Sequence, residues 1–310
     1  MDRKCLVCLK SVPGPAEYHA RCSRRFFGVF PPPRLEVTID KLCEYAATTV
    51  LNRITVTGVQ RKLSLGIEGT QRNRRFTIVG LWDRFILKPP SDEFPALPEN
   101  EDAVLRLADH LRIPVVPHAL IRLQSGEISF ICKRIDRTDT REKLSMEDFC
   151  QISERLTEDK YRGSLERVGK LLRRYSAYPG LDVLDYFERT VFSFVVGNAD
   201  MHLKNYSLIE TPIGLRLSPA YDLLSTVLAI PDDPEQTALT LNGKKSNLAK
   251  ADFDALAHAC AIPSTARDSV YRKFRDFQTV FAELLNQTLL PESMRRRLVE
   301  LFDARMSLFR

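Results

Sequence analysis

The chain has 310 residues, 44% hydrophobic and 28% charged, enough for one large domain or two ordinary ones, with no low-complexity tract. Its formal charge of +6, from 46 basic and 40 acidic residues, suits a phosphate ligand or an acidic surface as readily as nucleic acid. No apolar run reaches the roughly 18–20 residues that cross a bilayer. The opening MDRKCLVCLK lacks the apolar stretch and cleavage site of a signal peptide, so no membrane association and a cytoplasmic location are expected.

In chain order, residues 1–30 read as a small module holding Cys5-x2-Cys8 and His19-x2-Cys22 and ending at Gly28 before three prolines. Consecutive prolines cannot lie inside a helix or central strand, so a linker follows. Two Cys and a His-Cys pair suit tetrahedral zinc, with reduced thiols packed in a small hairpin as the plainer alternative. No activating carboxylate accompanies them, so a catalytic zinc is not expected. Seven cysteines are too few and too scattered for a disulfide scaffold. Cys43, Cys132, Cys150 and Cys260 fall in segments predicted to be regular, where buried, reduced thiols are expected.

Residues 38–51 have a cap candidate in Thr38 and helical apolar spacing, predicting a short helix. Residues 31–140 read as a β-rich lobe with strands in LSLGI, RFTIV, RFILK, VPHALIRL and ISFICKRI. RFTIV and RFILK look like the arms of a hairpin, separated by Gly80 and Asp83. PENEDAVLRLADHLR is a helix with Val104, Leu107, Ala108 and Leu111 on one face and Glu99, Glu101 and Asp102 crowding its positive end. Residues 141–310 read as a mostly helical lobe. DVLDYFERTVFSFVVGN places Val183, Leu184, Phe187, Val191, Phe194 and Val195 at core spacing and stops at Gly197, and further helices are predicted near 250–259, 265–287 and 292–308. The expected class is α+β with two lobes.

The densest polar cluster is GNADMHLKNYSL, which sets Asp200, His202, Lys204 and Asn205 directly after that apolar helix. Its Asp-x4-Asn spacing matches the pair by which kinases place a base beside a metal-binding asparagine. A hydroxyl nucleophile needs a carboxylate within reach, and magnesium needs oxygen ligands nearby. Asp222 follows in SPAYDLLS, as a second metal ligand or as the N-cap of a helix starting at Leu223. Lys88, ending the apolar run RFILK, suits a phosphate contact, or an edge strand guarded by a lysine. The stretch ITVTGVQRKLSLG, including Gln60 and Lys62, has the composition of a loop laid over phosphates but no recognised glycine motif.

Seven segments in order, TGVQRKLSL, FILKPP, PENEDAVL, FICKRIDR, MEDFCQI, GNADMHLKNYSL and SPAYDLLS, resemble the HipA-like serine/threonine kinases, toxins of bacterial toxin–antitoxin systems. The chain looks like the short HipT subtype, which lacks an N-terminal subdomain. That resemblance implies a two-lobed protein-kinase-like fold, ATP as phosphate donor and magnesium. It makes Asp200 the general base, with Lys204 and His202 at the phosphate end of the site. Asn205 and Asp222 (next to Tyr221) become metal ligands, and Lys88 contacts the phosphates. Thr57, Gly58, Val59, Gln60, Arg61 and Lys62 cover the nucleotide, and Lys133 to Ile135 meet adenine. Thr55 and Thr57 hold the places of self-phosphorylated serines. Implied partners are a small protein standing in for the missing subdomain, a helix-turn-helix antitoxin through which DNA is met only indirectly, and a protein substrate of the aminoacyl-tRNA synthetase class. The competing readings are a catalytically inactive nucleotide-binding module, a metal-dependent phosphohydrolase using Asp200, His202 and Asp222, and a repressor subunit. Five histidines and the absence of a reading helix weigh against the last two.

Overall fold

The computed structural model describes residues 3–42, 44, 62–70, 73–78, 83–138, 140 and 142–310. Cys43, Thr55, Thr57, Gly58, Val59, Gln60, Arg61 and Trp82 lie outside the described residues, as does most of the helix expected at 38–51, of which residues 39–42 and 44 are helical. The chain forms two compact units, Met1–Asp102 with Val116–Glu142 and Gln287–Leu289, and Ala103–Val115 with Lys143–Asn286 and Leu290–Arg310.

The first unit begins with the pair β1 (Arg3–Lys4) and β2 (Ser11–Val12), followed by α1 (Ala20–Phe27). Gly28 closes α1 at φ 78°, a left-handed cap that glycine adopts without strain. A five-stranded sheet follows, built from β3 (Leu63–Thr70), β4 (Asn73–Ile78), β5 (Phe85–Lys88), β6 (His118–Arg122) and β7 (Ile128–Lys133). Its order is β4-β3-β5-β7-β6, with every pairing antiparallel. All five expected strands are present, but the hairpin expected between 75–79 and 84–88 is not. Strand β3 lies between the two, pairing Leu65–Thr70 with β4 and Leu63–Leu65 with β5. Six residues separate the end of β4 from the start of β5, more than the two of a tight hairpin turn. Ser129, Phe130, Ile131 and Cys132 of β7 are all buried, as expected of a strand covered on both faces. Helix α2 (Leu97–His110) begins in this unit and continues in the second from Ala103.

The second unit holds a three-stranded sheet, β8 (Met146–Asp148), β9 (Ser207–Thr211) and β10 (Gly214–Leu217), in the order β10-β9-β8. Its helices are α3 (Phe149–Ile152), α4 (Leu165–Tyr175), α5 (Pro179–Val195), α6 (Thr226–Ala229), α7 (Lys250–Ala259), α8 (Ser264–Gln287) and α9 (Glu292–Met306). Helix α5 is buried along all of Arg189–Val195 and forms the centre of this unit. Gly197, at φ 74°, ends it as expected, and a Cβ there would lie 2.5 Å from Leu301. Cys132, Cys150 and Cys260 are buried and none of the three is in a disulfide, as anticipated. Among the described residues, no helix is long and apolar enough to cross a membrane.

Two ionised groups on α5 are taken almost wholly out of water. Arg189 is 1% exposed and donates through Nη2 to the Ser218 carbonyl at 2.8 Å, and burial pulls its pKa down. Asp182 is equally buried. It accepts from Nε and Nη2 of Arg216 at 2.7–3.0 Å, from Ser176 Oγ and from the Leu217 N–H. This carboxylate pins β10 to the start of α5. Removing one member of such a pair leaves its partners uncompensated, so Asp182→Ala should cost about 3 kcal/mol, read as a lower urea midpoint at unchanged slope.

Candidate active site

The first unit holds a buried ion pair. Strand β5 pairs on both sides, so the edge-strand alternative for Lys88 does not apply. Side-chain alternation sends Phe85 and Leu87 to one face and Lys88 to the other. There Lys88, 4% exposed, places Nζ 2.6 Å from Glu101 Oε1 on α2 and 5.4 Å from the centre of the Phe130 ring. Glu101 is itself 1% exposed. A strand lysine held by a helix glutamate is the pair that orients the phosphate-binding lysine in protein kinases. Glu101 was given no such role from the sequence. The signal was nonetheless present, because Glu101 precedes Val104, Leu105 and Ala108 by three, four and seven residues and so lies on the apolar face.

Lys62 is exposed immediately before β3. Lys133 ends β7, and its N–H donates to the Pro117 carbonyl, while that of Arg134 goes to Arg84. Those two backbone donors are committed, and Ile135 follows in a turn.

The second unit holds the loop after α5. Thr226 Oγ1 donates to the Gly197 carbonyl at 3.0 Å and accepts from the Ala199 N–H at 2.9 Å. Asn198 Oδ1 accepts from the Asp200 N–H, and the His202 N–H donates to the Asp200 carbonyl. Asn205 lies in a single 3-10 turn, Leu203–Asn205, and its Nδ2 donates to that same carbonyl at 2.8 Å. The asparagine therefore clamps the backbone of Asp200 while its own Oδ1 stays available as a neutral ligand. Tyr161 donates its hydroxyl to Asp200 Oδ1 at 2.8 Å and stands edge-on to the His202 ring at 5.1 Å. Burial and the Asp200 charge both raise the Tyr161 pKa, so the hydroxyl keeps its proton and remains a donor. Burial lowers the pKa of His202, against the pull of Asp200, which favours the neutral ring. Tyr161 carried no signal in the sequence, since it reaches Asp200 from 39 residues away.

Lys204 Nζ donates to Asp148 Oδ2 at 2.7 Å. Asp148 also caps α3, its Oδ1 accepting from the Gln151 N–H in a reciprocal capping box. Lys204 is thus held by the end of β8. Tyr221 bonds through its hydroxyl to Ser207 Oγ and to the Lys204 carbonyl, fastening the segment before Asp222 to the loop. Asp222 has φ 54°, a left-handed conformation uncommon for a residue with a Cβ and concentrated at functional sites. The helix expected at Leu223 starts instead at Thr226, where Ser225 holds the N-cap position. The capping alternative for Asp222 is thereby corrected.

A two-unit chain with a buried strand-lysine and helix-glutamate pair, and a helical unit bearing an Asp-x4-Asn loop, has the kinase-like α+β architecture. The sequence matches the HipA-like C-terminal domain family over residues 54–282, and the chain belongs to that family. It is 36% identical over 211 residues to Y4mE of Sinorhizobium fredii, a protein named as a candidate kinase, covering 65% of this chain and 49% of that one. It is 27% identical over 212 residues to the serine/threonine-protein kinase toxin HipA of Shewanella oneidensis, covering 61% and 47%. The chain therefore spans about half the length of these relatives. Its fold matches that of the Shewanella oneidensis HipA solved with HipB and operator DNA. There the TM-score is 0.68 at 19% identity, covering 96% of this chain and 74% of that one.

Breaking a buried pair costs more than replacing it whole. Lys88→Met alone, which removes the ammonium beside buried Glu101, should cost about 3–5 kcal/mol in urea denaturation, and the double variant Lys88→Met/Glu101→Leu should recover most of that loss.

Proposed function

We propose that this chain is an ATP- and magnesium-dependent serine/threonine protein kinase, the toxin of a HipA-type toxin–antitoxin pair. The observation that carries this reading is the buried Lys88–Glu101 ion pair at 2.6 Å. A charge pair sunk into a sheet is a weak source of stability, but it holds an ammonium ready for phosphate oxygens. A protein that merely bound nucleotide would have no use for the base that accompanies it.

In this reading Lys88 contacts the α- and β-phosphates, with Thr57 to Lys62 over the nucleotide and Lys133–Ile135 near the adenine. Tyr221 braces the metal-side segment. Asn205 and Asp222 offer the hard oxygen donors that magnesium takes alongside phosphate oxygens, and Asn205 fits because its amide nitrogen is already spent on Asp200. Bound there, magnesium would neutralise charge on the phosphates. Asp200 accepts the proton of a serine or threonine hydroxyl as that oxygen bonds to the γ-phosphorus. The bond from the γ-phosphorus to the bridging oxygen breaks, and ADP leaves. Tyr161 holds one carboxylate oxygen of Asp200, leaving the second for the hydroxyl, and neutral His202 adds no charge beside the base. Lys204 acts from its tether on Asp148.

Thr55 and Thr57 are proposed self-phosphorylation sites, where about −2 of added charge would oppose nucleotide binding. An aminoacyl-tRNA synthetase as substrate, and a small helper protein and helix-turn-helix antitoxin as partners, rest on family likeness.

The test is transfer from γ-labelled ATP with magnesium, for the wild type and Asp200→Ala, each alone and with a bacterial lysate. Label should appear on the chain or on a lysate protein and fall at least about 100-fold in the variant, given the usual contribution of a general base. Mass spectrometry then names the acceptor residues. A folded wild type that binds ATP yet labels nothing would put the inactive nucleotide-binding module in its place.

A further inference from the structure

The first 28 residues contain a second constellation that phosphate transfer does not use. Cys5, Cys8, His19 and Cys22 each bring one ligand atom to a common point, and all four atoms lie within 4.8 Å of one another. His19 Nδ1 is 3.4 Å from Cys8 Sγ and 3.8 Å from Cys22 Sγ. Cys5 is fully buried and the others are partly so.

Local structure explains the convergence. Cys5 and Cys8 sit in the bend between β1 and β2. Leu9 follows at φ 57°, and its N–H donates to the Cys5 carbonyl at 2.7 Å. The His-x2-Cys spacing, unusual when read as a string, is resolved by the fold. His19 is the residue before α1 and Cys22 lies in its first turn, so positions three apart share a face. His19 makes no helix-capping bond. Its Nε2 lies 2.9 Å from the Ser11 carbonyl, which can only accept, so the proton resides on Nε2. The Nδ1 lone pair is left facing the three sulfurs. An imidazole fixed by a backbone carbonyl on its far nitrogen is the usual support of a histidine metal ligand.

The geometry points to a structural zinc ion held by Cys5, Cys8, His19 Nδ1 and Cys22 that braces the sheet carrying Lys88. Three thiolates and one imidazole complete a tetrahedral shell and select a soft or borderline cation over magnesium. No position remains for a reactive water, so the role is structural. The brace follows from what the ligands flank. The Leu120 N–H donates to the Leu6 carbonyl, Tyr18 donates to the Leu120 carbonyl at 3.0 Å, and Glu17 pairs with Arg122 at 2.7 Å. These bonds fix the loop from Cys5 and the approach to His19 on β6. From α1, Phe26 and Phe27 pack on Phe85 at 5.9 and 6.3 Å between ring centres. Phe85 opens the strand that ends in Lys88. Strands β1 and β2 are two residues each and α1 is eight. Pieces so short have little rigidity of their own, and a cross-link among them would stiffen the platform.

The full-length chain, purified without added metal and then reconstituted with zinc, should hold one zinc per chain by elemental analysis. Replacing zinc with cobalt(II) should produce the strong visible bands of tetrahedral thiolate coordination. Cys8→Ser and Cys22→Ser should weaken zinc affinity by more than about 100-fold, since loss of a direct ligand should exceed the usual cost of losing its supporting partner. His19→Cys, which keeps four ligands, should retain the metal. Chelation should raise hydrogen exchange in β6 and β7 while leaving α5 unchanged. A wild type that takes up neither zinc nor cobalt overturns the site, whether or not the cysteine variants fold. A zinc-loaded chain whose β6–β7 exchange ignores chelation overturns the brace. Neither readout involves phosphate transfer, so each stands apart from the kinase reading.

Discussion

An ionised group removed from water must find its counter-charge and hydrogen bonds within the fold, and this requirement organises both units. Lys88 and Glu101 meet it across the sheet and helix of the first unit. In the second, Asp182 meets it with Arg216, Ser176 and a backbone N–H, whereas Arg189 meets it only in part, its Nη2 donating to the Ser218 carbonyl while Nε and Nη1 have no hydrogen-bond partner. None of these groups repays its desolvation generously. What each provides is position. The Lys88–Glu101 pair sets one ammonium at the end of a rigid strand. Asp182 fixes β10 to the start of α5, the helix whose far end delivers the Asp200 loop. Apolar residues of similar size could fill the same spaces with less electrostatic cost, so their use here makes best sense where a charge in a fixed place is itself the product.

The loop after α5 shows how local bonds convert a polar stretch into a set geometry. Asp200 is held through its N–H by Asn198, through its carbonyl by His202 and Asn205, and through its carboxylate by Tyr161. Thr226 holds the entry from the other side. Each bond is modest alone, about 0.5–1.5 kcal/mol. Together they leave the side chain of Asp200 few alternatives, which is how a polar group is kept in place without strain in the group itself. The strain sits one segment later, at the positive φ of Asp222, and Tyr221, bonded to Ser207 and Lys204, helps hold it there.

Much of this was legible in the sequence, because period and punctuation report local physics. The five strands of the first sheet, the end of α5 at Gly197 and the three last helices lie close to their expected spans. What escaped was non-local. RFTIV and RFILK are neighbours in sequence yet flank β3 in the sheet, since strand order depends on which edges remain to be paired. Tyr161 reaches Asp200 across a gap that no periodicity spans. Glu101 is the instructive case. Counted with Glu99 and Asp102 it reads as helix-end charge, but counted against Val104, Leu105 and Ala108 it is an acid on a buried face, and a buried acid demands a partner.

The same reasoning separates the kinase reading from metal-assisted hydrolysis, the alternative that shares most of its residues. A two-metal hydrolase gathers several carboxylates and histidines around ions about 4 Å apart. Among the described residues, the one group of three or more such side chains close enough to share an ion is Cys5, Cys8, His19 and Cys22, so Asp200, His202 and Asp222 do not form a set of that kind. Asn205 points the same way. Its neutral amide is a poor choice where a second ion must be attracted by charge. In the kinase reading it would suit a site where one hard cation is shared with a polyphosphate that brings its own negative oxygens. With His202 favoured in its neutral form by burial and the Tyr161 hydroxyl keeping its own proton, neither side chain packed beside Asp200 adds charge there. In the kinase reading the aspartates alone would repel a polyphosphate, so magnesium would supply the positive charge that admits it, while one carboxylate oxygen of Asp200 is left for a hydroxyl proton.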